Sequence, residues 1–286
     1  MMNEPQIKRM LSKLSQLEET LDRYVFKKQA ELSVVKYETK ELLSRAPEDD
    51  TLYTEVKPGD TWGAERSYCW FKGSFTVPAE LAGKPLYIYP RFGAYEAMLF
   101  VDGVPFGNFA YKISETDHGN HYCDLLCLEP KAGQVIDIVI EAYAGHYVIG
   151  TQPFEHFPVP SYQYAFESID ICTKNQDIAD FIYDLRCLNQ LASTMDEYSF
   201  RRGDVVNCLA KVHETVYYSP EHTDEAVWRA ALADAREIMR PCLEAKNADS
   251  APSVGLIGHS HMDTAWLWDI SETIKKCART YANQMA

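Results

Sequence analysis

The sequence contains no uninterrupted apolar stretch of about 18 residues, so no segment is long enough to cross a bilayer as a helix. It is short of basic residues: 28 Lys and Arg stand against 42 Asp and Glu, a net charge of −14 over 286 residues. That balance excludes nucleic acid as a partner, because displacing the counterions of a phosphate backbone takes Lys and Arg. It excludes an anionic membrane surface for the same reason. There is no CxxC pair. The eight cysteines (Cys69, Cys123, Cys127, Cys172, Cys187, Cys208, Cys242, Cys277) are dispersed and read as free thiols. Cys123 and Cys127 have no second ligand pair with which to build a metal site. The opening MMNEPQIKRMLSKLSQLEE carries charge throughout and lacks the apolar core of a secretory signal, which points to the cytoplasm. Internal repeats and low-complexity stretches are also absent.

What is present is the composition of an ordinary folded chain, 46% apolar and 24% charged, long enough for two or three cores. Aromatics reach 12%, and most of them are accounted for by the filling of a β-rich core. Residues 5–45 read as helix, with Ile7, Met10, Leu11, Leu14, Leu17, Leu21 and Val25 forming an apolar stripe. From 51 to 172 short β-branched and aromatic runs take over: WFKGSFTVP (70–78), PLYIYP (85–90), YEAMLFV (95–101), VIDIVIEAY (135–143) and YAFESIDIC (164–172). Ile136, Ile138 and Ile140 alternate with Val135, Asp137 and Val139 in the period of two of a half-buried strand. Asp102-Gly103 marks a hairpin turn. These signals predict an antiparallel, jelly-roll-like β-sandwich.

Helical periodicity returns over 174–247. One stripe comprises Ile178, Phe181, Ile182, Leu185, Leu188 and Leu191; a second runs from Val227 and Trp228 to Ile238 and Met239, with Ser219-Pro220 as its expected start. KNADSAP (246–252) is a polar linker. After it, SVGLIG predicts a strand buried on both faces, and a helix is expected from about Ser271, with Glu272 early and Lys275, Lys276 and Arg279 later to suit the helix dipole. The expected organisation is multidomain α+β. A helical arm occupies 1–50, the sandwich 51–173, a helical segment 174–250, and the first βα unit of an α/β layer or barrel 251–286.

The polar cluster between that strand and helix carries the chemistry. His259, His261 and Asp263 stand at i, i+2 and i+4, a spacing that sends all three side chains to one face of a strand. Imidazole and carboxylate are zinc ligands, and α/β folds bind ligands at the carboxyl ends of their strands. A metal-dependent amidohydrolase would use His259 and His261 together. A metallo-β-lactamase-like site would need a second His after Asp263, and position 264 is Thr.

GHSHMDTAWLWDISETIKKCART resembles the opening of the catalytic domain of glycoside hydrolase family 38, the zinc-dependent retaining α-mannosidases. The likeness runs through Asp263, Trp266, Trp268, Glu272, Thr273, Lys276, Arg279 and Thr280. Upstream, TWG (61–63), WFKGSFTVP and YEAMLFVDGVPFG resemble the β-domain of its cytosolic and vacuolar branch, and Asp184-Leu185-Arg186 fits the intervening helical segment. The resemblance implies that His261 and Asp263 ligate Zn2+ and that Trp266 lies against the sugar, while His259 is not a ligand. Trp268 is expected in the core more than in the site. Asp269 and Ser271 depart from the Pro and Arg common in the family.

The resemblance also implies mannose-containing oligosaccharides as substrates and homo-oligomers of the full-length enzyme. It places the nucleophilic Asp, the acid/base and the two remaining zinc ligands downstream, so that no catalytic residue is expected within residues 1–286 and the barrel is truncated. Zinc sites use three or four protein ligands, and the 286-residue chain alone is therefore expected to be inactive. A non-enzymatic alternative is a carbohydrate-binding β-sandwich module. Asp117, His118, His121, His146 and His156 are read as solvated or structural.

Overall fold

The computed structural model describes residues 2–110, 124–146, 161–246, 253–259, 261–266 and 268–285. Asp117, His118, His121, His156, Cys123 and the linker residues 247–252 lie outside them. The chain divides into two compact units, one of Met1–Lys27 with Lys174–Leu256 and one of Lys28–Thr173 with Ile257–Ala286.

The first unit is helical. Helix α1 (Glu4–Asp22) opens on a capping box, in which the Asn3 side chain accepts the Gln6 N–H and Gln6 answers the Asn3 N–H. Its buried face is Ile7, Met10, Leu11, Leu14, Leu17 and Leu21, the stripe read in the sequence. These residues share one core with α2 (Gln176–Thr194), α3 (Phe200–Thr215) and α4 (Glu225–Leu243). The expected start of the last helix shifts. Ser219-Pro220 opens only a short turn, Pro220–His222, and α4 begins beyond it because the Asp224 carboxylate accepts the N–H groups of Ala226 and Val227.

A larger correction falls on residues 23–45. The helix expected to run to 45 ends at Asp22, and the chain continues as strands β1 (Phe26–Glu31) and β2 (Val35–Thr39). The apolar stripe had already stopped at Val25. Beyond it Val35 and Tyr37 pair with Lys72 and Trp70, and that ladder overrides the helical propensity of the intervening Lys, Gln, Ala, Glu and Leu residues.

The second unit holds two sheets. With β3 (Thr54–Glu55), β4 (Thr61–Trp62), β5 (Tyr68–Thr76), β6 (Leu86–Arg91), β7 (Glu96–Val101), β8 (Val104–Ala110), β9 (Asp124–Cys127), β10 (Val135–Tyr143), β11 (Tyr164–Ala165) and β12 (Ser168–Lys174), the larger sheet runs β3-β2-β5-β10-β7-β8 and the smaller β1-β12-β6-β9. β11 and β4 form a separate two-stranded ladder. The pairs β5–β10, β10–β7, β7–β8, β2–β5 and β12–β6 are antiparallel. Apolar residues of both sheets meet in one core, Phe71, Ile136, Ile138, Ile140 and Leu99 from the larger, Leu86, Ile88, Ile169 and Ile171 from the smaller. The predicted Asp102-Gly103 turn joins β7 to β8, with both residues at positive φ, 50° and 76°.

Alternation decides the rest. If Ile136, Ile138 and Ile140 face the core, then Asp137, Val139 and Glu141 face away, and so do Tyr68, Trp70 and Lys72 of the neighbouring strand. This outer face receives helix α5 (Ile270–Met285), whose contacts fall on β7 and β8.

The strand expected at SVGLIG does not form. Residues 253–259 are outside any ladder, and Val254, Leu256 and Ile257 are exposed, Leu256 by 92%. A strand buried on both faces needs parallel neighbours for its backbone and layers above and below for its side chains. The described residues supply neither. The predicted helix after it does form, one residue earlier than expected.

Candidate functional site

Asp269 starts α5. Its carboxylate accepts the Glu272 N–H at 2.9 Å and the Ser271 hydroxyl at 2.6 Å, and these bonds hold its carboxyl below the usual aspartate value. The residue that departs from the family pattern thus serves as a helix cap. One turn on, α5 turns a charged face to the sheet. Lys276 Nζ lies 2.7 Å from Glu96, Arg279 Nε lies 2.8 Å from the same carboxylate, and Lys275 pairs with Glu141. Arg279 also pairs with Glu272, whose carboxylate accepts the Tyr68 hydroxyl.

Three carboxylates and three cations meet here, and half of them are buried: Glu272, Glu141 at 2% exposure and Arg279 at 3%. Burial alone would raise the Glu96 carboxyl, but Arg279 and Lys276 outweigh it and hold it below the ordinary glutamate value. At Glu141 burial dominates over Lys275 and the carboxyl is raised. Burial, reinforced by Glu272, drives the Tyr68 hydroxyl strongly upward, so it stays protonated as a donor. Sequence reading credited Lys275, Lys276 and Arg279 to the helix dipole and missed their partners. The available signal was a Glu interrupting each of two apolar runs, YEAMLFV and VIDIVIEAY.

The segment leading into α5 carries the predicted site residues. The structure brings two of them together, His261 Nε2 lying 3.0 Å from Asp263 Oδ1. The His259 ring lies beside that of His261, centroids 6.3 Å apart and planes 25° from parallel. Trp266 is 64% exposed and meets Trp268 edge-on at 6.0 Å. Trp268 itself is partly buried, with its indole N–H on Thr273 and the Lys276 ammonium 4.6 Å from its ring, which makes it part of the scaffold. Zinc suits a nitrogen and an oxygen donor this close, and His261 and Asp263 would hold it. Among the described residues no group of three potential ligands converges anywhere. The donor set present fits the metal only in part, as two ligands. His146, read as structural, bonds Glu65 at 2.7 Å and the Arg66 guanidinium.

Residues 251–286 match the family model described as the glycosyl hydrolases family 38 N-terminal domain. Over most of its length the chain is similar to two curated proteins. α-Mannosidase G of Dictyostelium discoideum is 21% identical over 239 residues, covering 82% of this chain and 20% of that protein. α-Mannosidase 2C1 of Mus musculus is 22% identical over 234 residues, covering 80% and 21%. Among solved structures, a β-glucuronidase from an uncultured Clostridium superposes with a TM-score of 0.35 at 11% identity, over 53% of this chain and 30% of that one. By its family match and these two relatives the chain is similar to the family 38 α-mannosidases, as its motif implied. It spans about a fifth of the length of the curated relatives it matches. Among the described residues no helix is long and apolar enough to cross a membrane.

Proposed function

We propose that this chain supplies the N-terminal portion of a zinc-dependent, retaining α-mannosidase that cleaves terminal α-mannosidic bonds of oligomannosides in the cytoplasm, with the catalytic region beginning at residue 251. The observation that carries the reading is the His261–Asp263 pair at 3.0 Å, three residues before the exposed Trp266, inside the segment that matches the family. His261 and Asp263 are the two metal donors. Trp266 offers an apolar face to the C–H side of a mannose ring. Zinc, when bound, supplies Lewis-acid stabilisation of charge developing on the sugar. A retaining mechanism needs a carboxylate nucleophile and an acid/base about 5 to 5.5 Å apart, and neither role is assigned to a residue of this chain. Homo-oligomers are proposed for the full-length enzyme, as in the resemblance.

The test is turnover of an aryl α-mannoside by a polypeptide joining this chain, at residue 286, to the remainder of a family 38 catalytic region. His261→Ala and Asp263→Ala should abolish turnover while His259→Ala keeps it. Equal loss from His259→Ala and His261→Ala would favour an amidohydrolase-like metal pair and overturn the proposal. The 286-residue chain alone should release no aryl alcohol.

A further inference from the structure

Thr273 sits in the first turn of α5 and is buried. A threonine hydroxyl has one donor and two acceptor lone pairs, and here all three are used. It donates to the Asp269 carbonyl at 3.1 Å, one turn back. That bond is common for threonine in a helix and by itself signifies nothing beyond the helix. The two acceptor positions are different. One takes the Ala265 backbone N–H at 3.1 Å, the other the Trp268 indole N–H at 3.1 Å, and both donors lie outside the helix.

Ala265 is the residue that needs such a bond. It stands between Asp263 and Trp266 with φ at +52°, in the left-handed region that L-residues disfavour. A turn of this kind persists only where its surroundings hold it. Its N–H is fixed on Thr273. A second, weaker contact ties the segment to the helix, the Thr280 hydroxyl lying 3.9 Å from the Met262 sulfur.

We propose that the Thr273 hydroxyl is a positioning group of the candidate site: by holding the Ala265 N–H and the Trp268 indole together, it sets the turn that places Asp263 relative to Trp266. For its metal readout the inference rests on the zinc reading of His261 and Asp263; for its first readout it does not.

The experiment uses the full 286-residue chain and three variants. Hydrogen exchange of the Ala265 amide and the Trp268 indole is followed by NMR, and zinc binding by competition with a chromophoric chelator. Thr273→Val keeps the shape and removes the hydroxyl. It should expose both N–H groups to fast exchange and weaken zinc binding by about tenfold, the scale of losing an outer support of a metal site. Thr273→Ser should retain slow exchange and affinity. Trp268→Phe, which leaves the helix and Thr273 in place, should keep the Ala265 amide protected. Unchanged protection in Thr273→Val would overturn the proposal whatever zinc does. So would loss of Ala265 protection in Thr273→Ser or in Trp268→Phe, which would assign the turn to methyl or ring packing. If the unaltered chain binds no zinc, the metal reading fails and the exchange result alone decides the role of Thr273.

Discussion

Arg279 Nε lies 2.8 Å from Glu96 Oε2, joining the third turn of α5 to the first residue of β7 in an ion pair almost without solvent. A buried charge keeps its ionised form only where partners replace its hydration. Arg279 has Glu96 and Glu272, and Glu96 has Lys276 as well. Arg279→Met should therefore leave Glu272 without a cation and Glu96 with Lys276 alone, and cost about 3–5 kcal/mol, read from denaturant unfolding of the chain. Arg279→Lys should not restore the loss, because a single ammonium cannot serve both carboxylates as a planar guanidinium does.

The same network sets a pH dependence. Against the opposing effect of burial, Arg279 and Lys276 depress the Glu96 carboxyl in the folded state. A depressed carboxyl contributes stability that is fully present above its unfolded value, about 4.3, and is lost as pH falls through the lower folded value. Glu141, raised by burial, acts in the opposite direction, contributing below its unfolded value and losing that contribution as pH rises through the folded one. The two overlap in the unaltered chain. The stability difference between it and Glu96→Gln isolates the first: it should be large at neutral pH and shrink on acidification below the ordinary glutamate range. A difference that grows on acidification would contradict the assignment.

Gly63 offers a backbone test. Its φ is +97°, and a Cβ there would stand 2.4 Å from the Tyr162 carbonyl oxygen. Gly63→Ala should destabilise the β-unit by clearly more than the conformational strain alone, which is about 1–2 kcal/mol. Gly83→Ala is the control, since φ is +72° but nothing lies within 4 Å of the added carbon. It should cost only the conformational strain, about 1–2 kcal/mol. Equal losses would show that the Tyr162 contact is not formed.

Much of this architecture is legible in the sequence where a face is buried. The stripe Ile7 to Leu21, the alternation at Ile136–Ile140 and the Asp102-Gly103 turn each carry their period or their special φ in residue type. What escaped reading depends on partners distant in the chain. Phe26–Glu31 and Val35–Thr39 become strands because β12 and β5 are there to pair with them. Glu96 and Glu141 look like surface acids until α5 arrives with Lys276, Arg279 and Lys275. Residues 253–259 show the converse: an apolar run reads as a buried strand, yet it forms none without parallel neighbours. In the site, residue types and spacing singled out His259, His261 and Asp263, and the family resemblance narrowed the donors to the last two and added Trp266. The role of Thr273 was not legible, because a hydroxyl in a first turn looks the same whether or not two outside N–H groups reach it.

The central claim is that His261 and Asp263, and not His259, are the two metal donors this chain contributes. Zinc binding by the 286-residue chain, measured by chelator competition on the unaltered protein and on His259→Ala, His261→Ala and Asp263→Ala, tests it most directly. The account predicts weak binding by the unaltered chain, as two ligands allow, unchanged in His259→Ala and lost in both His261→Ala and Asp263→Ala. Loss in His259→Ala equal to that in His261→Ala, or binding indifferent to Asp263, would contradict it.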